Sequence, residues 1–268
     1  MLKNYFENKR IVLVGPSPHL IGKNYGAYID SFDVVVRINE LGVVPEMAKD
    51  YGSRTDIAFL ALHDISQSIF LKMKEEVNYN SLKLVIHPGD EYNYDPINKR
   101  GKTKNIGEYF DALDLNVNFY HITNPPYEER CQIFGCFPST GSVSILEMLN
   151  HNFTELYICG FSFYTTKFNY SPKGMEYMRI PKINQHNHNI RKSGHDTQQE
   201  VKVLRKILAN YKNISGDYLF QRIIFSRTNL YYEVRRFIVY YLNFKNYKNI
   251  IKKAIRKKTY INFIRKYK

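Results

Sequence analysis

Cysteine is scarce in this 268-residue chain: Cys131, Cys136 and Cys159 are the only three. They are odd in number and lack the spacing of a zinc or redox motif, so they are expected to be buried or idle thiols. Long apolar runs are missing as well. Stretches such as Phe237 to Leu242 fall far short of the roughly 20 residues a bilayer-spanning helix needs. The opening MLKNYFENKR is too polar for a secretory signal, so the protein is expected to be cytoplasmic, peripheral on the inner face of the membrane. The glycosylation sequons at Asn152 and Asn213 therefore carry no weight. No internal repeat, low-complexity block, full Gly-x-Gly-x-x-Gly fingerprint or Walker loop occurs.

Acidic residues are nearly missing from one end. Between Arg222 and Lys268 there are fourteen Lys/Arg and a single acid, Glu233, whereas the preceding residues hold 25 basic and 24 acidic side chains. The net charge of +14 thus belongs to the tail. A nearly neutral main body argues against a broad nucleic-acid groove, and nucleic acid is not an expected partner. Leu230, Val234, Phe237 with Ile238, and Tyr241, then Tyr247, Ile251, Ala254 and Ile255, recur at helical spacing among the basic residues. This predicts a basic, amphipathic segment over 220–268 that follows a catalytic domain over 1–219. Such a segment suits an anionic membrane surface, where each basic residue contributes about 1 kcal/mol. An ordinary helical hairpin with a solvated basic face is the alternative, and nucleic-acid binding through this segment alone is another.

With 44% hydrophobic and 15% aromatic residues, the chain can bury one sizeable core. Short β-branched runs predict strands over Arg10–Val14, Asp33–Ile38, Thr55–Leu60, Lys83–His87, Asn118–His121 and Glu155–Cys159. Helical spacing appears over Phe70–Glu76, Gly107–Leu113, Gly141–Leu149 and Thr197–Ala209. Strands alternating with helices predict an α/β fold: a mostly parallel, Rossmann-like sheet with helices on both faces. Tyr164 to Lys192, rich in Pro, Gly, Asn and His, reads as a long loop of the kind that forms lids or site loops.

Four elements carry chemistry. Gly15-Pro16-Ser17-Pro18 follows the first strand, so that Gly15 admits a ligand close to the backbone and Ser17 offers a hydroxyl, although a tight connection needs the same residues. Asn39 ends the second strand, as a reader of base or phosphate or as a turn former. Ser139, Thr140 and Gly141 open a helix, whose first amides seat a phosphate or carboxylate, or else simply cap it. His195 precedes another helix with Glu200 in its first turns, placed to titrate against a ligand or to serve structure alone. His186 and His188 lie upstream of His195, but with no Asp-x-Asp in the chain a metal is not expected.

Together these elements resemble the sialyltransferase family of animal Golgi enzymes. Gly15, Ser17, Leu20, Tyr25-Gly26, Ile29-Asp30, Asp33, Arg37, Asn39, Asp50 and Gly52-Ser53-Arg54-Thr55 match the large sialyl motif. Pro138 to Gly141 through Leu156 to Phe161 match the small motif, and His195 with Glu200 the very-small one. The resemblance implies a GT-A-variant fold and a CMP-activated ulosonic acid donor, CMP-sialic acid or, as in related Kdo-transferase-like proteins, CMP-Kdo. It implies inverting, metal-independent transfer without a cofactor to a glycan hydroxyl of lipooligosaccharide or capsule type. His195 would be the general base, and Gly15, Ser17, Asn39, Ser139, Thr140 and Gly141 would bind the donor. Glu200 would position the His195 loop. Two departures stand out. Ile11 and Asn152 occupy the positions of the family's disulfide, in keeping with a reducing compartment. The family's aromatic-rich His motif has only approximate candidates in Tyr177, His186 and His188.

Overall fold

The computed structural model describes residues 2–62, 64–89, 105–123, 126–166, 195–226, 228 and 230–238. Seven strands form one sheet: β1 Arg10–Val14, β2 Val34–Ile38, β3 Ile57–Phe59, β4 Leu84–His87, β5 Asn118–His121, β6 Glu155–Cys159 and β7 Ile214–Gly216. All are parallel, in the order β5-β4-β3-β2-β1-β6-β7. Among the described residues ten α-helices accompany them: α1 Lys3–Phe6, α2 Gly26–Asp30, α3 Ala48–Tyr51, α4 Asp64–Glu76, α5 Ile106–Asp111, α6 Pro126–Phe134, α7 Thr140–Leu149, α8 Thr197–Leu208, α9 Tyr218–Ile224 and α10 Leu230–Phe237.

Side chains alternate across a strand, so β1 shows how the sheet is covered. Ile11 and Leu13 enter a core with Phe134 of α6, Val143, Ile145 and Met148 of α7, Val201 and Leu204 of α8, and Phe220 of α9. Val12 and Val14 point the other way, towards Ile29 of α2 and Tyr51 of α3. Further along that second face, Ala58 and Val85 meet Phe70 and Met73 of α4 and Tyr109 of α5. Helices therefore cover both faces, which explains why the strands read as continuous apolar runs rather than alternating ones.

β1 to β5 add outward in one direction, then β6 returns to the other side of β1. The reversal lies between β1 and β6, and in such sheets ligands bind outside the carboxyl ends of the strands at that point.

The N-terminal end of the same pair lacks the family's cystine but is tied otherwise. Asn8 N–H donates to the Asn152 carbonyl at 2.7 Å and Thr154 N–H to that of Lys9 at 2.9 Å. The Arg10 guanidinium binds Glu155 at 2.9 Å. All three cysteines are free thiols, and burial pushes Cys159 well above the usual thiol range.

The expected boundary between 219 and 220 falls inside α9, whose Leu219, Phe220, Ile223 and Ile224 are buried with Tyr232 of α10 in the main core. On α10 the expected apolar stripe starts at exposed Leu230, and Ile238 just beyond the helix is exposed too. Tyr241 and the second helical series lie outside the described residues. Among the described residues no helix is long and apolar enough to cross a membrane.

Candidate active site

The turns after β1 and β6 are packed backbone to backbone. Gly15 N–H donates to the Cys159 carbonyl at 2.8 Å and Ser17 N–H to that of Gly160 at 3.0 Å. A Cβ on Gly15 would stand 2.5 Å from the Gly160 oxygen, and one on Gly160, at φ +74°, 2.2 Å from the Gly15 oxygen. Glycine at both positions is a condition of this approach. The Phe161 ring wedges the corner: a Cβ on Gly15 would come within 2.9 Å of it and one on Gly141 within 2.8 Å. One ring thus abuts both the β1 turn and the first turn of α7. Phe163 and Tyr164 follow with φ of 45° and 60°, a left-handed pair of the strained kind that clusters at functional sites.

Ser139 caps α7 with its hydroxyl accepting from Ser142 N–H. That hydroxyl also donates to Glu200 Oε2 at 2.6 Å, Ser139 N–H reaches the same oxygen at 3.1 Å, and the Ser142 hydroxyl binds it too. Glu200, 1% exposed, therefore holds the start of α7 rather than the His195 loop it was expected to position. Ser139 is committed to the cap. The first-turn amides of Thr140 and Gly141 have no carbonyl a turn behind them, as at any helix start. Glu200→Ala would strand several buried donors at about 1–3 kcal/mol each. With three donors involved, it is expected to lower the urea-unfolding free energy by about 3 kcal/mol or more, with Glu200→Gln losing less.

His195 lies just ahead of α8, whose cap is Asp196, accepting from Gln198 and Gln199 N–H. Its Nδ1 is 2.9 Å from the Phe137 carbonyl. A carbonyl only accepts, so Nδ1 carries the proton donated there. His195 and Glu200 thus grip the segment Phe137 to Ser142 from either end. The two motifs they belong to meet through hydrogen bonds rather than through core packing alone.

Asn39, at φ +54°, accepts Ala61 N–H on its Oδ1 at 3.0 Å and so braces the end of β3. Its amide nitrogen and the second lone pair of Oδ1 are not used in that bond. Most other polar residues of that motif are scaffold. Buried Arg37 donates to the Tyr51, Gly52 and Arg54 carbonyls and to Thr55 Oγ1. Asp30 accepts from Ser53 and Arg54 N–H, and Asp50 from Gly22 and Asn24 N–H.

Glu40, beside Asn39, has its carboxyl pushed up to about 7 by burial, partly offset by the Arg37 charge. The fold therefore holds this proton more tightly than the unfolded chain does. The stability that this contributes is complete below pH ~4.5 and is lost as pH rises through about 7. The span corresponds to about 3 kcal/mol at 1.36 kcal/mol per unit. Glu40→Gln is expected to flatten this loss, read by denaturant unfolding at pH 5 and pH 8.

Two residues that no motif singled out complete the corner. His19 Nδ1 lies 3.0 Å from Ser17 Oγ, and its Nε2 lies 2.8 Å from Asp217 Oδ2. Asp217 is the N-cap of α9 and is remote in sequence, which is why reading along the chain misses it. His186, His188 and Tyr177 lie outside the described residues.

The family model of glycosyltransferase family 29 (sialyltransferase) matches residues 5–212. Among solved structures, a mammalian sialyltransferase, alone and in complex with Gal-beta-1-3GalNAc-ortho-nitrophenol, is similar at 20% identity and a TM-score of 0.45. The match covers 80% of this chain and 71% of that one. No curated protein sequence matches.

Proposed function

The chain belongs to glycosyltransferase family 29, the sialyltransferases, and on that premise we propose that it moves sialic acid, or the related ulosonic acid Kdo, from a CMP-activated donor to a glycan hydroxyl. Transfer is metal-independent and inverting. The acceptor is a surface glycan of lipooligosaccharide or capsule type.

The observation that carries this reading is the joining of the α7 start to His195 and Glu200 at Phe137 to Ser142. It supports a reading in which His195 offers Nε2 as proton acceptor while the α7 amides suit an anion. His195 takes the acceptor hydroxyl's proton as the bond to the sugar forms. Thr140 and Gly141 amides, with Gly15 and Asn39 across the Phe161 wedge, hold the CMP-sugar and the departing phosphate, whose charge is met by oriented dipoles in place of a cation. Residues 220–268 dock on an anionic membrane surface. Their net charge of +13, fourteen Lys/Arg against Glu233, supports that partner.

The test offers the purified chain CMP-sialic acid and CMP-Kdo with a small glycan panel, following CMP release and product mass. Acceptor-dependent CMP release with either donor is the expected result. Release from neither donor across the panel overturns the reading.

A further inference from the structure

Asp217 is an acceptor with a full complement of donors. Its Oδ1 accepts Phe220 N–H at 2.8 Å, and its Oδ2 accepts Gly160 N–H at 2.8 Å and faces His19 Nε2 at 2.8 Å. The ring nitrogen must therefore be the donor, so Nε2 carries a proton in either charge state of His19. The only choice left to the imidazole is at Nδ1. Neutral His19 accepts the Ser17 O–H, and that hydroxyl then points inward. Charged His19 donates Nδ1–H to Ser17 Oγ, which turns the Ser17 O–H away from the ring. Thr166 Oγ1 lies 3.4 Å beyond it, and Thr166 itself is half-buried.

Ser17 is only 2% exposed and Asp217 3%, whereas the His19 side chain is 17% exposed, so the two ends of the chain are enclosed and His19 is the member that water reaches. Among the described residues, the Asp217 charge faces the buried Cys159 thiol and the Tyr157 phenol of β6, both pushed up chiefly by burial. Tyr51 of α3 donates its hydroxyl to the Ser17 carbonyl at 2.7 Å, and burial pushes that phenol up. Arg235 of α10 reaches the Thr165 carbonyl at 3.3 Å. The chain opens at the switch point, where the β1 and β6 turns touch.

The geometry points to His19 and Asp217 as positioning residues that couple seating of the nucleotide's anionic phosphate at the switch point to uptake of one proton from solvent by His19. This rests on the CMP-donor reading above. A fully ionised phosphate, the phosphodiester of a CMP-sugar or the CMP dianion, supplies only acceptors, so it favours the state in which the hydroxyls present protons outward. That state exists only with His19 protonated, and the buried Asp217 carboxylate balances the new charge. When CMP leaves, the proton returns to solvent and the chain reverses. Asp217 lies outside the region matched by the family model, so this device joins the family core to a helix of this chain's own C-terminal part.

The experiment is calorimetric titration of the full chain with CMP at pH 6.5 and 7.5, within the range where imidazoles titrate, in buffers of differing ionisation enthalpy. Wild type is expected to take up a substantial fraction of a proton per CMP, and affinity is expected to weaken as pH rises. His19→Asn, which can bond both neighbours but does not titrate, is expected to lose that uptake and the pH dependence, with affinity at pH 6.5 lower by roughly tenfold, as for loss of a charge-assisted hydrogen bond. Ser17→Ala leaves His19 and Asp217 paired yet cuts the link, so it too is expected to lose the uptake. It serves as the reading if His19→Asn does not fold. His195→Ala is expected to keep the uptake. Uptake that survives His19→Asn or Ser17→Ala, or that disappears in His195→Ala alone, overturns the inference while leaving the donor reading intact. Failure of wild type to bind CMP overturns both.

Discussion

His195→Ala is expected to reduce transfer by about 10²–10⁴-fold, the usual contribution of a positioned general base, while CMP affinity changes by no more than a few-fold. The separation follows from the site's geometry. His195 touches the segment ahead of α7 through its Nδ1 bond to the Phe137 carbonyl, whereas the start of α7 is fixed by Glu200 independently of it. Removing the imidazole therefore removes a proton acceptor without releasing the amides proposed to hold the donor. The loss should fall on kcat, since the base acts only as the acceptor hydroxyl is deprotonated. The check is CMP release with the productive acceptor, together with direct CMP binding. Wild-type release by the alanine variant would remove His195 from the base role. A matching loss of CMP binding would make it a donor-site residue instead.

Gly160→Ala is expected to be strongly destabilising. The added Cβ would sit 2.2 Å from the Gly15 carbonyl oxygen, which is backbone and has no rotamer by which to escape. The residue also stands at φ +74°, where an L side chain costs about 1 kcal/mol or more. With the typical cost of overpacking, the loss comes to about 2–4 kcal/mol. For a chain of this size that corresponds to a fall in Tm on the order of 10 °C. The same substitution disturbs two bonds that define the switch point, Gly160 N–H to Asp217 and Ser17 N–H to the Gly160 carbonyl. CMP binding should therefore fall even at temperatures where the variant remains folded. A variant with unchanged Tm and CMP affinity would mean that the β1 and β6 turns can separate without consequence.

Much of the sheet could be read along the chain. Where a strand is buried on both faces it must be apolar throughout, and β1, β2, β4 and β6 declare themselves to within a residue. β7 does not. Three residues, Ile214–Gly216, are too few to show a period, and only pairing with β6 makes them a strand. α6 was also missed, because Pro126 to Phe134 carries Glu128, Glu129 and Arg130 where an apolar stripe would be sought. Arg130 is nonetheless buried, bound to Glu147 of α7. Its partner is a tertiary contact that no local pattern announces.

Candidate site residues divide along the same line. Gly15, Ser17, Asn39, Ser139 to Gly141, His195 and Glu200 were legible because turns, caps and motif spacing are local properties of the backbone. Their partners were not. Folding gave Glu200 to the α7 cap, Asn39 to the end of β3, and Ser17 to His19 and Asp217. By itself the sequence determined the parallel α/β order, the concentration of charge in the tail and the family motifs, each of which depends on neighbours within a few residues or on composition. Only the tertiary structure decided which strand ends meet and which polar groups are spent on scaffold. Hydrogen bonds act over about 3 Å, and the strand order brings Asp217 to His19 although most of the chain lies between them.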